Sequence, residues 1–367
     1  MADFHTARAV AKVIVVLTLM VASAWAQTDP KTAMLARDGW DALARNQPHQ
    51  AAAAFREALS RDPRNADLHL GAGAAAFLER RDQDARASLE RALELDPTTS
   101  RAREVLGLVL YRTGDVLGAI RAYERLPNTR EYEPARIRLE GWRREFDLHS
   151  RMTSVAGAWF TVSFEGEADA ELAARALTSI ERAADRIGQV LSTYPVQPIS
   201  VVLYTTEQFR DITRAPIWAG GAYDGTVRVP MRGALAKEQE LDRVLAHEYT
   251  HALVHTLASR NVPAWLGEGL ATALEIDQSA APATSEPVPA GTLAALRTSF
   301  GRFTGEQAKV AYDASARAVR QLLDESGGFA VANLLRDLGH GVDFNEAFLH
   351  WMHRSFESFE AGLSAPR

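Results

Sequence analysis

A period of 34 residues between positions 32 and 133 constrains this chain more than any other feature. Gly39, Gly73 and Gly107 recur at that interval, as do Ala51, Ala85 and Ala119, and a large residue follows each alanine by four (Phe55, Leu89, Tyr123). Ala58 and Ala92 come next, and Pro63 and Pro97 close the first two units. Each unit reads as a helix pair: small residues sit where two helices must approach, and proline stops the second helix before the next begins. The third unit decays, with Leu126 in place of the alanine and Glu131 in place of the proline. One such unit cannot bury its apolar face alone. Three in series, about the minimum for stability, predict a stacked all-α solenoid.

The period and these columns resemble the tetratricopeptide repeat (TPR). The resemblance implies three TPR units over residues 32–133, a capping helix and linker over 134–150, and a concave face suited to a peptide, a partner protein or the rest of the chain itself. The plainer role is to space or steady the domain that follows.

A second, local feature lies beyond the repeats. His247-Glu248-Tyr249-Thr250-His251 is an H-E-x-x-H inside a helical pattern, with Leu241, Val244, Leu245, Ala252 and Leu253 as an apolar stripe and Pro263 after the break at Arg260-Asn261. On a helix, His247 and His251 stand one turn apart on one face, where two imidazoles can close on one Zn²⁺. Glu248 falls beside that face, placed to act on a water as general base. Two histidines do not complete a zinc site. Val254 and Leu257 occupy the positions where the metzincin pattern needs Gly and His. His255 is about 12 Å along the helix axis from His247, too far to share its ion. The better third ligand is Glu268 in Trp265-Leu266-Gly267-Glu268-Gly269-Leu270-Ala271. A second helix starting near Pro263 and packing antiparallel to the first brings Glu268 back to the histidines. That gives a His₂Glu set with the fourth position open, the arrangement of a catalytic zinc.

H-E-x-x-H followed by W-L-x-E-G-L-A resembles the gluzincin metallopeptidases, most closely the bacterial peptidase MA-like domains. The likeness runs from about residue 154 to the C-terminus, specific in the two motifs and diffuse elsewhere. It implies a thermolysin-like zincin domain over 151–367, one Zn²⁺ per chain, and peptide-bond hydrolysis. In such folds an edge strand just before the metal helix pairs with extended substrate. Residues 220–230, with Gly220, Gly221 and the turn Tyr223-Asp224-Gly225, read either as that strand or as an ordinary core strand.

The remaining pattern of 151–367 is α+β. Residues 159–164 alternate like a half-buried strand, and Ile199–Tyr204 is a short β-branched strand. Residues 168–192 read as a long amphipathic helix and 205–214 as a short one capped by Thr205 or Thr206. Residues 278–290 read as a Pro/Ala/Ser-rich loop. Helices are expected over 307–326, ended by Gly327-Gly328, over 329–338, ended by Gly339, and over 344–356. An oxyanion donor should complete the machinery. Tyr312 is the candidate because it heads the helix after the loop, with Tyr223 and His340 as alternatives. For each, an edge residue with a wet polar tip is the plainer reading. Thr272, one turn after Glu268, can hydrogen-bond a metal histidine or simply its own helix. Glu275 and Asp277 read as the solvated helix end, and Tyr249 as packing.

Composition bounds the partners and the compartment. A net charge of −6 and a pI near 6.0 argue against nucleic acid. Only Lys12, Lys31, Lys237 and Lys309 are lysine among 41 basic residues, a compositional bias that carries no function. Residues 1–26 read as a signal peptide: Arg8 and Lys12, a short apolar run over 13–22, then Ala24-Trp25-Ala26 before Gln27. The run is too short for a comfortable span, and no later run is long enough. With no cysteine there is no disulfide and no lipoprotein attachment site, which suits the bacterial periplasm.

The reading is therefore an exported zinc metallopeptidase. His247, His251 and Glu268 hold the metal, Glu248 is the general base, Tyr312 is the oxyanion donor, and the TPR face binds substrate or partner. The alternative is a periplasmic TPR adaptor whose zinc-binding domain is catalytically silent. A third reading keeps the chemistry but places it on another amide, such as a peptidoglycan crosslink.

Overall fold

The computed structural model describes residues 29–166, 169–213, 221–230, 238–258, 261–276, 288–289, 291–298, 300 and 303–364. The signal-peptide reading, Gly220, Asp277 and most of 278–290 lie outside them. The chain divides into two compact units, one ending at Ser150 and the other running from Arg151 to the C-terminus.

The N-terminal unit is all helix. Its elements are α1 (Pro30–Ala44), α2 (Pro48–Arg61), α3 (Ala66–Leu78), α4 (Asp82–Leu95), α5 (Ser100–Arg112), α6 (Val116–Glu124) and, after a 3₁₀ turn, α7 (Glu133–His149). Local chemistry sets several of the starts. Asp29 accepts from the Thr32 N–H at 3.1 Å, Asn65 from Asp67 and Leu68, and Asp115 from Gly118. The periodic glycines do what the spacing implies. A methyl group on Gly39 would lie 2.7 Å from the Phe55 ring, one on Gly73 2.6 Å from Leu89, and one on Gly107 2.3 Å from Tyr123. Phe55 and Leu89 are fully buried in these notches.

The repeat runs one helix further than the alanine and proline columns indicate. Gly141 on α7 lies 34 residues after Gly107. Here α7 packs as another first helix: Trp142 stacks on Tyr111 at 4.8 Å between ring centres and leans on Tyr123 at 4.5 Å. The Tyr111 hydroxyl donates to the buried Glu145 at 2.7 Å.

The second unit holds a five-stranded sheet: β1 (Thr153–Ala156), β2 (Phe160–Phe164), β3 (Ile199–Tyr204), β4 (Ala222–Tyr223) and β5 (Val227–Pro230), in the order β1-β2-β3-β5-β4. The three central strands are parallel, and β1 and β4 pair antiparallel at the edges. Phe160, Val162, Val201, Leu203, Val227 and Val229 point to one buried face. Onto them packs the apolar stripe of α8 (Ala170–Leu191), spaced Leu172, Ala176, Ile180, Ala183, Ile187 and Leu191. Then come α9 (Thr206–Thr213), α10 (Glu238–Leu257), α11 (Ala264–Leu274), α12 (Thr292–Ala295), α13 (Gly305–His340), α14 (Phe344–Met352) and α15 (Phe356–Leu363). Thr205 caps α9: its hydroxyl accepts from the Gln208 N–H.

Two glycine readings change. The helix from Gly305 does break at Gly327, whose φ of 74° suits only glycine, but it continues through Gly339 and ends at Gly341. Gly328 and Gly339 are contact points rather than stops: a methyl group on either would run into the carbonyl of Val190 or Leu257. The expected helix over 344–356 is two helices, divided where His353 adopts a left-handed conformation.

Candidate metal centre

The site is built on α10. Its buried stripe is Leu241, Leu245, Tyr249 and Leu253, which shares one core with the sheet and α8. Val244 is only partly buried and lines a cleft instead. Tyr249 is fully buried edge-on against Phe160 and takes no part in the cleft. The other flank of α10 carries His247, Glu248 and His251.

After the turn at Pro263, α11 comes back against α10 and presents Glu268. The glycine beside it matters, because Gly269 lets α13 close in: a methyl group there would sit 2.5 Å from the Ser315 carbonyl oxygen. His247 Nε2, His251 Nε2 and Glu268 Oε2 then form a triangle with sides of 3.2, 3.4 and 3.9 Å. Bonds of about 2.0–2.2 Å to a tetrahedral Zn²⁺ set donor atoms about 3.4 Å apart, so this spacing fits one ion. Glu268 Oε2 is buried and accepts no hydrogen bond, and what faces it are the two imidazole nitrogens. A buried carboxylate oxygen facing two nitrogens with no proton donor of its own is what a metal ligand requires. Among the described residues this is the one His/Asp/Glu cluster with metal-ligand spacing.

The charges respond to this crowding. Burial works against ionisation of Glu268, but the imidazoles of His251 and His247 outweigh it and hold the carboxyl at about 2. Burial likewise works against protonation of His247, but Glu275 at Nδ1 and the charges of Glu248 and Glu268 prevail and raise its pKa.

Glu275 is the residue the sequence reading misplaced. It is not a solvated helix end. Its side chain is 15% exposed, its Oε2 lies 3.4 Å from His247 Nδ1, and its Oε1 accepts from Arg243 at 3.0 Å. Thr272 makes neither of the bonds open to it, to a metal histidine or to its own helix: its hydroxyl is buried with no hydrogen bond. The signal was available: Glu275 is seven residues, two turns, after Glu268 on the same side of α11, and Arg243 is one turn before His247.

A cleft of about 510 Å³ opens beside the cluster, lined by Gly221, Val244, Glu248, Thr272, Lys309 and Tyr312 among others. Glu248 forms its wall next to the histidines. Gly221, at the start of edge strand β4, lies so close that a methyl group on it would be 2.7 Å from the Glu248 carboxylate. The Tyr312 ring stands edge-on to His247 at 6.3 Å. Burial and the nearby charges of Glu268 and Glu248 push its phenol pKa up, so the O–H stays protonated. The other two oxyanion candidates are elsewhere. Tyr223 packs on His255 at 5.7 Å, and His340 ends α13, 28 positions beyond Tyr312.

Residues 37–98 and 83–134 match the tetratricopeptide repeat family, so the N-terminal unit is an array of TPR repeats. Arrays of this kind bind protein partners. Among solved structures, the Sgt2 TPR domain from Aspergillus fumigatus is similar over 35% of this chain and 88% of that one, at 25% identity and a TM-score of 0.32. No curated protein matches the chain. Among the described residues, no helix is long and apolar enough to cross a membrane.

Proposed function

We propose that the protein is an exported zinc-dependent peptidase whose TPR array binds a partner or the polypeptide to be cut. The observation that carries this reading is the triangle of His247 Nε2, His251 Nε2 and Glu268 Oε2 with Glu248 beside it on the wall of a cleft. His247, His251 and Glu268 would hold Zn²⁺, which when bound supplies a Lewis acid at the cleft. Glu248 takes a proton from the attacking water as the carbonyl C–O bond forms, then gives it to the amine nitrogen as the C–N bond breaks. Tyr312, kept protonated, donates to the oxygen on which negative charge gathers. Gly221 leaves room for substrate backbone against Glu248, and among the described residues β4 pairs only with Val227 and Arg228 of β5, so the rest of that edge is the place for an extended substrate. Export rests on residues 1–26 and their n-region, apolar run and Ala24-Trp25-Ala26.

The test is digestion of a diverse peptide library by wild type and Glu248→Gln, with new termini read by mass spectrometry and zinc content measured on both. Glu248→Gln should keep zinc and lose about 10²–10⁴-fold in rate. Cleavage by Glu248→Gln would remove that residue from its role. Zinc-loaded wild type that cuts nothing, yet captures a partner equally well with Glu248→Gln, would favour the second reading. That reading is a TPR adaptor with a silent metal domain, and it draws on the repeats alone.

A further inference from the structure

We propose that the open notch at Gly141 on α7 is the docking surface for an amphipathic helix of a partner protein, one that carries a small residue and, four positions later, Phe, Tyr or Leu. The chain defines this ligand three times over. Gly39, Gly73 and Gly107 each receive a side chain sixteen residues on, Phe55, Leu89 and Tyr123, from a helix whose alanine lies four before it. Ala51, Ala85 and Ala119 are all fully buried in those pairings. At Gly141 the same geometry is set up on one side and missing on the other. The equivalent positions downstream are Thr153 and Gly157, which belong to β1 and to the turn after it, so no second helix follows α7 in the repeat register. Among the described residues of the N-terminal unit, nothing lies within 4 Å of where a methyl group on Gly141 would be.

The flank of the notch is apolar. Ile137, one turn before Gly141, is 46% exposed, whereas Leu35, one turn before Gly39, is buried. The opposite side of α7 is fixed by Trp142 against Tyr111 and Tyr123, so the face is rigid and needs no rearrangement to receive a helix. An incoming helix would continue the A–B packing of the array by one step, using apolar anchors at helical spacing.

The probe is a peptide of residues 47–62 of this chain, which holds Ala51 and Phe55, bridged to stay helical because isolated helices of this length are marginal. Its binding to the full-length protein is measured by fluorescence anisotropy against Gly141→Leu and Ile137→Asp. Gly141→Leu fills the notch from within, and it should fold because leucine forms helix better than glycine and meets no neighbour there. Thermal melting checks that it does. The proposal expects saturable binding that falls at least tenfold in both variants and in a peptide with Phe55→Ala. No binding, or binding that Gly141→Leu leaves unchanged in a folded protein, overturns it. Concentration-dependent self-association of wild type, lost in Gly141→Leu, would put a second copy on the notch and overturn the partner-helix form.

Discussion

At the scale of single residues, the candidate triad was legible as a cluster because its spacing is local. His247 and His251 are one turn apart, and Glu268 follows within a motif that resembles a known family. What the sequence hid was the support. Glu275 sits at a helix end rich in polar neighbours, and only the return of α11 against α10 shows it facing His247 Nδ1 rather than water. Glu275→Gln should lower zinc affinity about 10–100-fold in chelator competition while leaving the fold intact. Full affinity in that variant would make the contact incidental. A second residue-scale outcome concerns Glu104 in the repeats. Burial raises its pKa above the usual value against the opposing pull of Arg101 and Arg138. A carboxyl raised in the fold binds its proton more tightly there, so its contribution is favourable at low pH and is lost as pH rises from about 4.5. Glu104→Gln, which mimics the protonated form, should match wild type at pH 4 and melt higher than wild type at pH 7.

At the scale of elements, β3 was readable to the residue because Ile199, Val201 and Val202 are β-branched and closely bounded. The first strand was not. Thr153, Ser154 and Ala156 are exposed, so β1 carries no alternation, and it is held by pairing with β2 that no local pattern announces. Glycine was the recurrent ambiguity. A glycine that ends a helix and one that lets another backbone approach look alike in sequence, and Gly339 is the second kind. Gly269 is the contact on which the site depends. Gly269→Ala would press a methyl group onto the Ser315 carbonyl, a backbone atom that cannot swing away. The expected cost is about 1–3 kcal/mol, read as a lower melting temperature, with zinc affinity falling too as α11 is displaced.

At the scale of the whole molecule, the two units have separate hydrophobic cores. The sequence marked the change of architecture where the 34-residue period stops and alternation begins. The fourth repeat glycine was overlooked because its partner helix never follows. Two cores predict two calorimetric transitions. Zinc should raise only the one belonging to the second unit, by about 2.7 kcal/mol at a hundredfold excess over Kd. EDTA should return that transition to its metal-free position without moving the other. A single transition that shifts as a whole would contradict this. The donor set also dictates how the proposed centre would fail. Its three atoms are nitrogen and oxygen, and the chain contains no cysteine. Peroxide and disulfide stress, which dismantle thiolate centres, find nothing to oxidise there. Acid is the threat instead, since protons compete directly for the two imidazoles.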